Sequence, residues 1–368
     1  MQDPPNHPNI VAPQTRPGIP APPRPSRSSK LQLADRLVEL PFQLLPPARA
    51  RISTWPLTPA ERERVRILWP STYQWAPAAR FTETVKQSFA RLGVLRIENT
   101  PQNHRGVVSL RCTVDGRSHI VAIDYADRPN SINEDALAEC SLYIKFQFHE
   151  RGYRDSRIIA GGYPVSGLDY YWYYRSFRTW HEHRSRIDVL GRFSFEFQGE
   201  LRARAVGMLS DARDIRYVGA GPRVRYSRFL REAASARLSL DLPGNGPFTF
   251  RVAEFLGLGT CLVAPRYVTA LHERLEPGVH YVQIADDLSD LLDVCSYYLS
   301  HENERAKIAR AGRDFFERYL HSDHLAGYYI RALLHRLGND GEPVTLLKGS
   351  SLDQDHGVGV AQRDARHR

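Results

Sequence analysis

The chain of 368 residues is 42% hydrophobic and 25% charged, a soluble globular composition too long for one hydrophobic core, so two domains with tails are expected. Its net charge of +9 points to anionic partners, although only five of the 50 basic residues are lysine and so strong an arginine bias is equally a mark of genome composition. No apolar run approaches the ~18 residues of a membrane span, and the scattered Cys112, Cys140, Cys261 and Cys295 form no CxxC pair, so a disulfide framework and a zinc site are disfavoured and a cytoplasmic protein with reduced core thiols is expected.

Residues 1–29 carry nine prolines and almost nothing apolar, which predicts a disordered tail. The leucines of KLQLADRLVELPFQLLPPARAR then lie among basic residues, interrupted by Pro41; this segment, residues 30–52, reads either as a short packed helix or as a peripheral membrane contact. From residue 56 apolar runs alternate in type. VRILWP (65–70) reads as a strand, TETVKQSFARLG (82–93) as a helix closed by Gly93, and VLRIEN (94–99) as a strand. GVVSLRCTVDGRSHIVAIDY (106–125) reads as a hairpin turning at Asp115-Gly116 or as two strands, NEDALAEC (133–140) as a helix, and SLYIKFQF (141–148) as a strand. The aromatic block DYYWYYRSFRTW (169–180) must cover several faces of whatever element it forms, which favours a core role over a sugar-stacking surface. Its neighbours His181 and His183 lack a third metal ligand.

A second set follows. Strands are predicted at 186–194, 215–220, 236–242, 260–264 and 280–284, with helices at 197–209, 225–233 and 248–257 and a helical run from Leu288 to Leu320. Strands alternating with helices predict parallel α/β sheets. The boundaries read as a tail and amphipathic segment over 1–55, a first domain over 56–180, a second over 181–337 and a tail over 338–368.

Three blocks of the second set look familiar: VLGR (189–192), GNGPFTFRVAEFLGLGTCLVAP (244–265) and RLEPGVHYVQIADDLSDLLDVCSYYLSHENERAKIARAGRDFFERYL (274–320). Residues 186–334 resemble the nucleotide-sugar-binding half of GT-B glycosyltransferases, which have two facing Rossmann-like domains, and of group 1 glycosyltransferases. The third block resembles the capsule-associated xylosyltransferase and protein O-glucosyltransferase family through Pro277, Gly278, His280, Tyr281, Asp287, Leu288, Ser289, Asp290, Leu291, Ala311, Gly312, Phe315 and Leu320. The match covers somewhat under half of the chain, so the acceptor half is inferred from architecture.

The resemblance implies transfer of a sugar from a nucleotide diphosphate sugar, used as co-substrate with no other cofactor, to a hydroxyl on a glycan, lipid, protein or small molecule. Such transfer builds negative charge on a departing diphosphate. A glycine-rich turn leading into a helix meets that charge with free amides and a positive dipole end. Asn245 and Gly246 allow close backbone approach, Pro247 suits a first helical turn, the amides of Phe248 and Thr249 point toward the diphosphate, and Arg251 adds a cation. The resemblance gives Glu254 a ribose or sugar hydroxyl. The plainer alternative is a capped helix with a surface Arg251–Glu254 ion pair. Arg192, and Arg223 or Arg225, follow strands and fall at the edge where open α/β sheets bind ligands, as clamps or as solvated surface residues.

On the acceptor side, a strand ending near Asp124 delivers Asp124 and Asp127 to a sheet edge, as a general base or as capping and turn residues. Lys145 inside an apolar strand reads as a partner for phosphate or carboxylate, or as the exposed face of an edge strand. Retaining GT-B enzymes often carry paired glutamates eight positions apart, but the positions eight before and eight after Glu254 hold Gly246 and Leu262. That departure leans toward inversion, and no metal is called for. A non-catalytic module binding anions or nucleic acid on the same fold is the competing class, although nucleic-acid signatures are absent and none is expected as a partner. Neither GxGxxG nor GxxxxGK[ST] occurs at a first βα turn.

Overall fold

The computed structural model describes residues 57–71, 77–98, 104–183, 186–219 and 224–338. The expected tails, the leucine-rich segment 30–52 and Arg223 lie outside the described residues. What is described is α/β, with two sheets, as the GT-B-like reading requires. Among the described residues no helix is long and apolar enough to cross a membrane, and all four cysteines are free and buried.

The first unit runs α1 (Pro59–Glu63), β1 (Val65–Pro70), α2 (Pro77–Arg91), β2 (Leu95–Glu98), β3 (Val107–Val114), β4 (Arg117–Asp124), α3 (Glu134–Glu139), β5 (Leu142–Lys145) and β6 (Ile158–Ala160). Its strands lie in the order β2-β1-β3-β4-β5-β6. Only β3 runs against its neighbours. The reversal is the Asp115-Gly116 hairpin: both residues have positive φ, 49° and 80°, so the two-residue turn matches the strand twist. β6 is not legible as a strand in the sequence; three residues that run straight into Gly161-Gly162 carry no periodic signal.

The second unit comprises α4 (Tyr170–His183), β7 (Ile187–Leu190), α5 (Gly199–Asp211), β8 (Tyr217–Val218), α6 (Tyr226–Ala234), β9 (Ala236–Leu240), α7 (Phe250–Leu258), β10 (Cys261–Ala264), β11 (Val282–Gln283), α8 (Leu291–Ser300), α9 (Glu302–Phe315), a π-helix (Phe316–Leu320) and α10 (Ser322–Leu337). Its sheet, β11-β10-β9-β7-β8, is wholly parallel. β9 and β10 are buried along almost their whole length, as helices on both faces require. Since every strand points the same way, every carboxyl end reaches one edge.

Several predicted elements shift. The run expected from Leu288 to Leu320 is two α-helices and a π-helix, because Leu288 takes a left-handed φ of 64° and the helix begins only at Leu291. The helix after the GNGP turn begins at Phe250, with Thr249 as its N-cap, so Pro247 precedes the helix rather than opening it. The aromatic block is the core helix α4, with Tyr170, Tyr171, Tyr173, Tyr174 and Phe177 buried.

One helix of the second unit crosses to the first. α4 packs on α6 and α7 of the second unit, while α10 returns to α2, β1 and β3 of the first. Tyr170 Oη donates to the Glu254 carbonyl at 2.9 Å, and Tyr328 Oη donates to the Ala160 carbonyl at 2.8 Å. One continuous apolar core therefore joins both sheets. Its tightest point is Gly257, where an added Cβ would overlap the fully buried Tyr170 hydroxyl and lie 2.9 Å from Phe316. Gly257→Ala should therefore lower the melting temperature, at a cost of about 1–3 kcal/mol, despite the better helix propensity of alanine. An unchanged or raised melting temperature would contradict this packing.

Candidate active site at the interdomain seam

Asp241 follows β9 directly at the carboxyl edge of the second sheet and is 1% exposed. Thr249 Oγ1 donates to its Oδ1 at 2.6 Å, Arg251 Nε reaches the same oxygen at 3.2 Å, and Tyr267 Oη lies 3.3 Å from Oδ2. Burial pushes the Asp241 carboxyl up, against the pull of Arg251, Thr249 and Arg202. Arg202, 3% exposed, comes from the first turn of α5 and donates to the carbonyls of Ser194 at 2.7 Å and Leu242 at 3.1 Å. Its Nε is buried without a hydrogen-bond partner. Burial, and then the neighbouring Arg251, lower its pKa to about 10. Both guanidinium groups stand over the Phe193 ring, at 5.4 and 5.5 Å from its centre. Two cations thus share one carboxylate, leaving an excess of positive charge at the edge where open α/β sheets take their ligands.

The first unit meets this edge through its own strand ends. Asn245, the exposed apex of the turn, donates to Asp127 Oδ2 at 3.3 Å, and Tyr163 Oη lies 3.5 Å from Asp127 Oδ1. Burial raises the Asp127 pKa, opposed by the bonds from Asn245 and Tyr163. Gly246 is pressed against this surface, since a Cβ there would overlap the Asp127 carbonyl oxygen and come within 2.6 Å of Gln147 Nε2. The rings of Phe146, Tyr163, Phe248 and Tyr267 continue the contact across the seam, with neighbouring centroids 4.9 to 5.7 Å apart.

Comparison with known proteins bears on the second unit. Residues 177–331 match the family described as "Glycosyl transferase-like". This part of the chain is glycosyl transferase-like. A stretch of 63 residues is 38% identical to protein O-glucosyltransferase 2 of Danio rerio, covering 17% of this chain and only 13% of that protein's length. Among solved structures, an Anabaena protein, HepE, in complex with UDP and glucose is 13% identical, covering 58% of this chain and 70% of its own, with a TM-score of 0.41. Sucrose-phosphate synthase from Thermosynechococcus elongatus is 13% identical over 55% of this chain and 60% of its own, with a TM-score of 0.37. A glycosyltransferase from Rickettsia africae is 11% identical over 60% and 71%, with a TM-score of 0.38.

Within and around the glycosyl transferase-like segment, the residues singled out from sequence separate into those brought to the seam and those used elsewhere. Asn245, Gly246, Phe248, Thr249, Arg251 and Asp127 come together. Asp124 does not: it is 1% exposed, with Oδ1 taking the Ala126 amide at 2.8 Å and Oδ2 taking Tyr143 Oη and Lys145 Nζ, each at 2.7 Å. All its nearby donors are structural, so it is not placed as a base. Lys145 is its fully buried partner in an inner strand rather than an exposed edge residue. Arg192 is held by Glu232 at 2.5 Å, a carboxylate shared with Arg228.

Glu254 lies 0% exposed and takes Ser166 Oγ at 2.6 Å, the Ser166 amide at 3.3 Å and Tyr226 Oη at 2.5 Å, all on Oε1. The surface pair with Arg251 does not form, because Arg251 turns to Asp241. Sequence reasoning missed Arg202, Asp241 and Tyr226. A signal for Arg202 existed: it shares the buried face of α5 with Ala205 and Leu209, at i+3 and i+7.

The Glu254 carboxyl is pushed up from 4.5 to about 7 by burial, against the bonds from Ser166 and Tyr226. Between those values the folded chain holds a proton that the unfolded chain releases, so stability must fall as pH rises through this window. Glu254→Gln, which cannot titrate, should match the wild type near pH 4.5 and exceed it above pH 7, by on the order of 3 kcal/mol. Denaturant unfolding at both ends checks it; parallel curves for the two proteins would contradict the shift.

Proposed function

We propose that the chain is a metal-independent, inverting glycosyltransferase that moves a sugar from a nucleoside diphosphate sugar to a hydroxyl acceptor. The observation that carries this reading is the pair Arg202 and Arg251 around Asp241 at the carboxyl edge of the parallel sheet, inside the glycosyl transferase-like segment. Their surplus positive charge suits a departing diphosphate, and fixed dipoles and cations in a water-poor site stabilise such charge more than water can. Two arginines supply what a divalent cation would otherwise supply. Among the described residues no group of three or more His, Cys, Asp or Glu is arranged to hold a metal.

In this mechanism the acceptor hydroxyl oxygen attacks the anomeric carbon from the face opposite the diphosphate, the carbon–oxygen bond to the diphosphate breaks, and both electrons leave with it. The hydroxyl proton passes to the Asp127 carboxylate. Burial raises the proton affinity of that group, which improves it as a base near neutrality. Glu254 Oε1 ties α7 to Ser166 and Tyr226.

A thermal-shift panel of UDP-, GDP- and dTDP-sugars tests the reading. At least one should raise the melting temperature of the wild type, and Arg251→Ala should abolish the rise. Asp127→Asn should keep the rise while lowering turnover by about 10²–10⁴-fold; a non-catalytic binding module would be indifferent to it. Stabilisation by none of the nucleotide sugars would sink the proposal. EDTA should leave the rate unchanged, and proton NMR of the product should show the inverted anomer.

A further inference from the structure

Gln147 lies two residues past β5, at the carboxyl edge of the first sheet, and is 0% exposed. Its side chain bridges both units. Nε2 donates to the Phe248 carbonyl at 2.7 Å, and Oε1 accepts from Thr269 Oγ1 at 2.8 Å. A carbonyl can only accept, so the Phe248 bond fixes which end of the amide is which. The same Nε2 abuts Gly246, beside the Asp127 carbonyl. Around this amide the two units pair as a short antiparallel ladder at His149 and Thr269, through Glu150 N to the Val268 carbonyl at 2.9 Å and Ala270 N to the Phe148 carbonyl at 2.8 Å. Arg266 and Glu150 close its outer end at 2.6 Å.

This is more than filling of space. Phe248 immediately precedes Thr249 and stands three positions before Arg251, the two residues that hold Asp241. Asp127 belongs to the other unit. The amide of Gln147 is therefore tied to the peptide that leads into the cationic site and touches the turn that meets the base. An apolar side chain of the same size would fill the volume but leave the Phe248 carbonyl and the Thr269 hydroxyl unmet.

We infer that Gln147 is a positioning residue for glycosyl transfer: by binding the Phe248 carbonyl and Thr269 together, it sets the separation between Asp127 and the cationic site that receives the diphosphate. The inference rests on the function proposed above. Gln147 is fully buried, with both ends of its amide used by Phe248 and Thr269, so it acts on turnover rather than on donor affinity.

Two variants separate its bonds. Gln147→Glu retains an acceptor for Thr269 and loses the donor to Phe248, whereas Gln147→Leu loses both. The expected result is a nucleoside diphosphate Kd within about threefold of wild type, with kcat lowered by roughly tenfold in Gln147→Glu and more in Gln147→Leu, as small misplacements in a transfer site commonly cost. Because the effect runs through the base, Asp127→Asn should cost much less in the Gln147→Leu background than in the wild type. Thr269→Val, which cuts one bond from the other side of the seam, should lower kcat in the same way and serves if Gln147→Leu does not fold. Unchanged kcat, or equal losses in kcat and diphosphate affinity with the full Asp127 cost retained, would overturn the positioning role. A wild type that turns over while the variants match it overturns this inference alone. A wild type that binds no nucleotide sugar overturns the proposed function and this inference with it.

Discussion

Gly246 lets the two halves of the molecule touch. With only hydrogen on its α-carbon, its backbone lies against the Asp127 carbonyl and the Gln147 amide, where any side chain would force the units apart. Much else at the seam follows from that approach. Asn245 reaches Asp127, Phe248 slots its ring between Tyr163 and Tyr267, and the peptide leading into α7 acquires a partner in the first unit. A turn that would otherwise be a surface loop becomes the joint that sets one sheet edge against the other.

The joint also explains a local violation of ordinary stability rules. Arg202 is almost wholly buried among backbone carbonyls, with an unpaired Nε and a second guanidinium close by. An unsatisfied buried donor costs about 1–3 kcal/mol, and like charges add to it. Such cost concentrates where a fold keeps a site ready for a ligand. The rest of the neighbourhood shows the opposite economy: Asp124 is saturated by Lys145 and Tyr143, and Arg192 by Glu232. At the edge held by Arg202 and Arg251, an anion would restore the balance of charge.

Much of the fold was legible because its signals are local. Alternating apolar runs gave two α/β units, Asp115-Gly116 gave the hairpin, and the aromatic block at 169–180 was too apolar all round to be a surface. The site was legible only in part. GNGPFTFR marks the turn and Arg251 but not the helix start at Phe250, because Pro247 suits a helix start as well as an extended approach to one. That Asp124 is taken up inside the sheet is visible only once Lys145 is seen to sit opposite it in the neighbouring strand. Arg202 and Gln147 were hidden for a related reason. Each is a polar residue on the apolar face of its element, a helix in one case and the extension of a strand in the other. Only the packing reveals that such a residue is buried, and with what.

The most direct measurement is a crystal structure of the protein with a bound nucleoside diphosphate. The diphosphate should lie at the carboxyl edge of the second sheet with its oxygens within hydrogen-bond reach of Arg202 and Arg251, and Asp127 should face it across the seam. A diphosphate bound elsewhere, with both guanidinium groups still over the Phe193 ring, would contradict the assignment of this edge as the donor site.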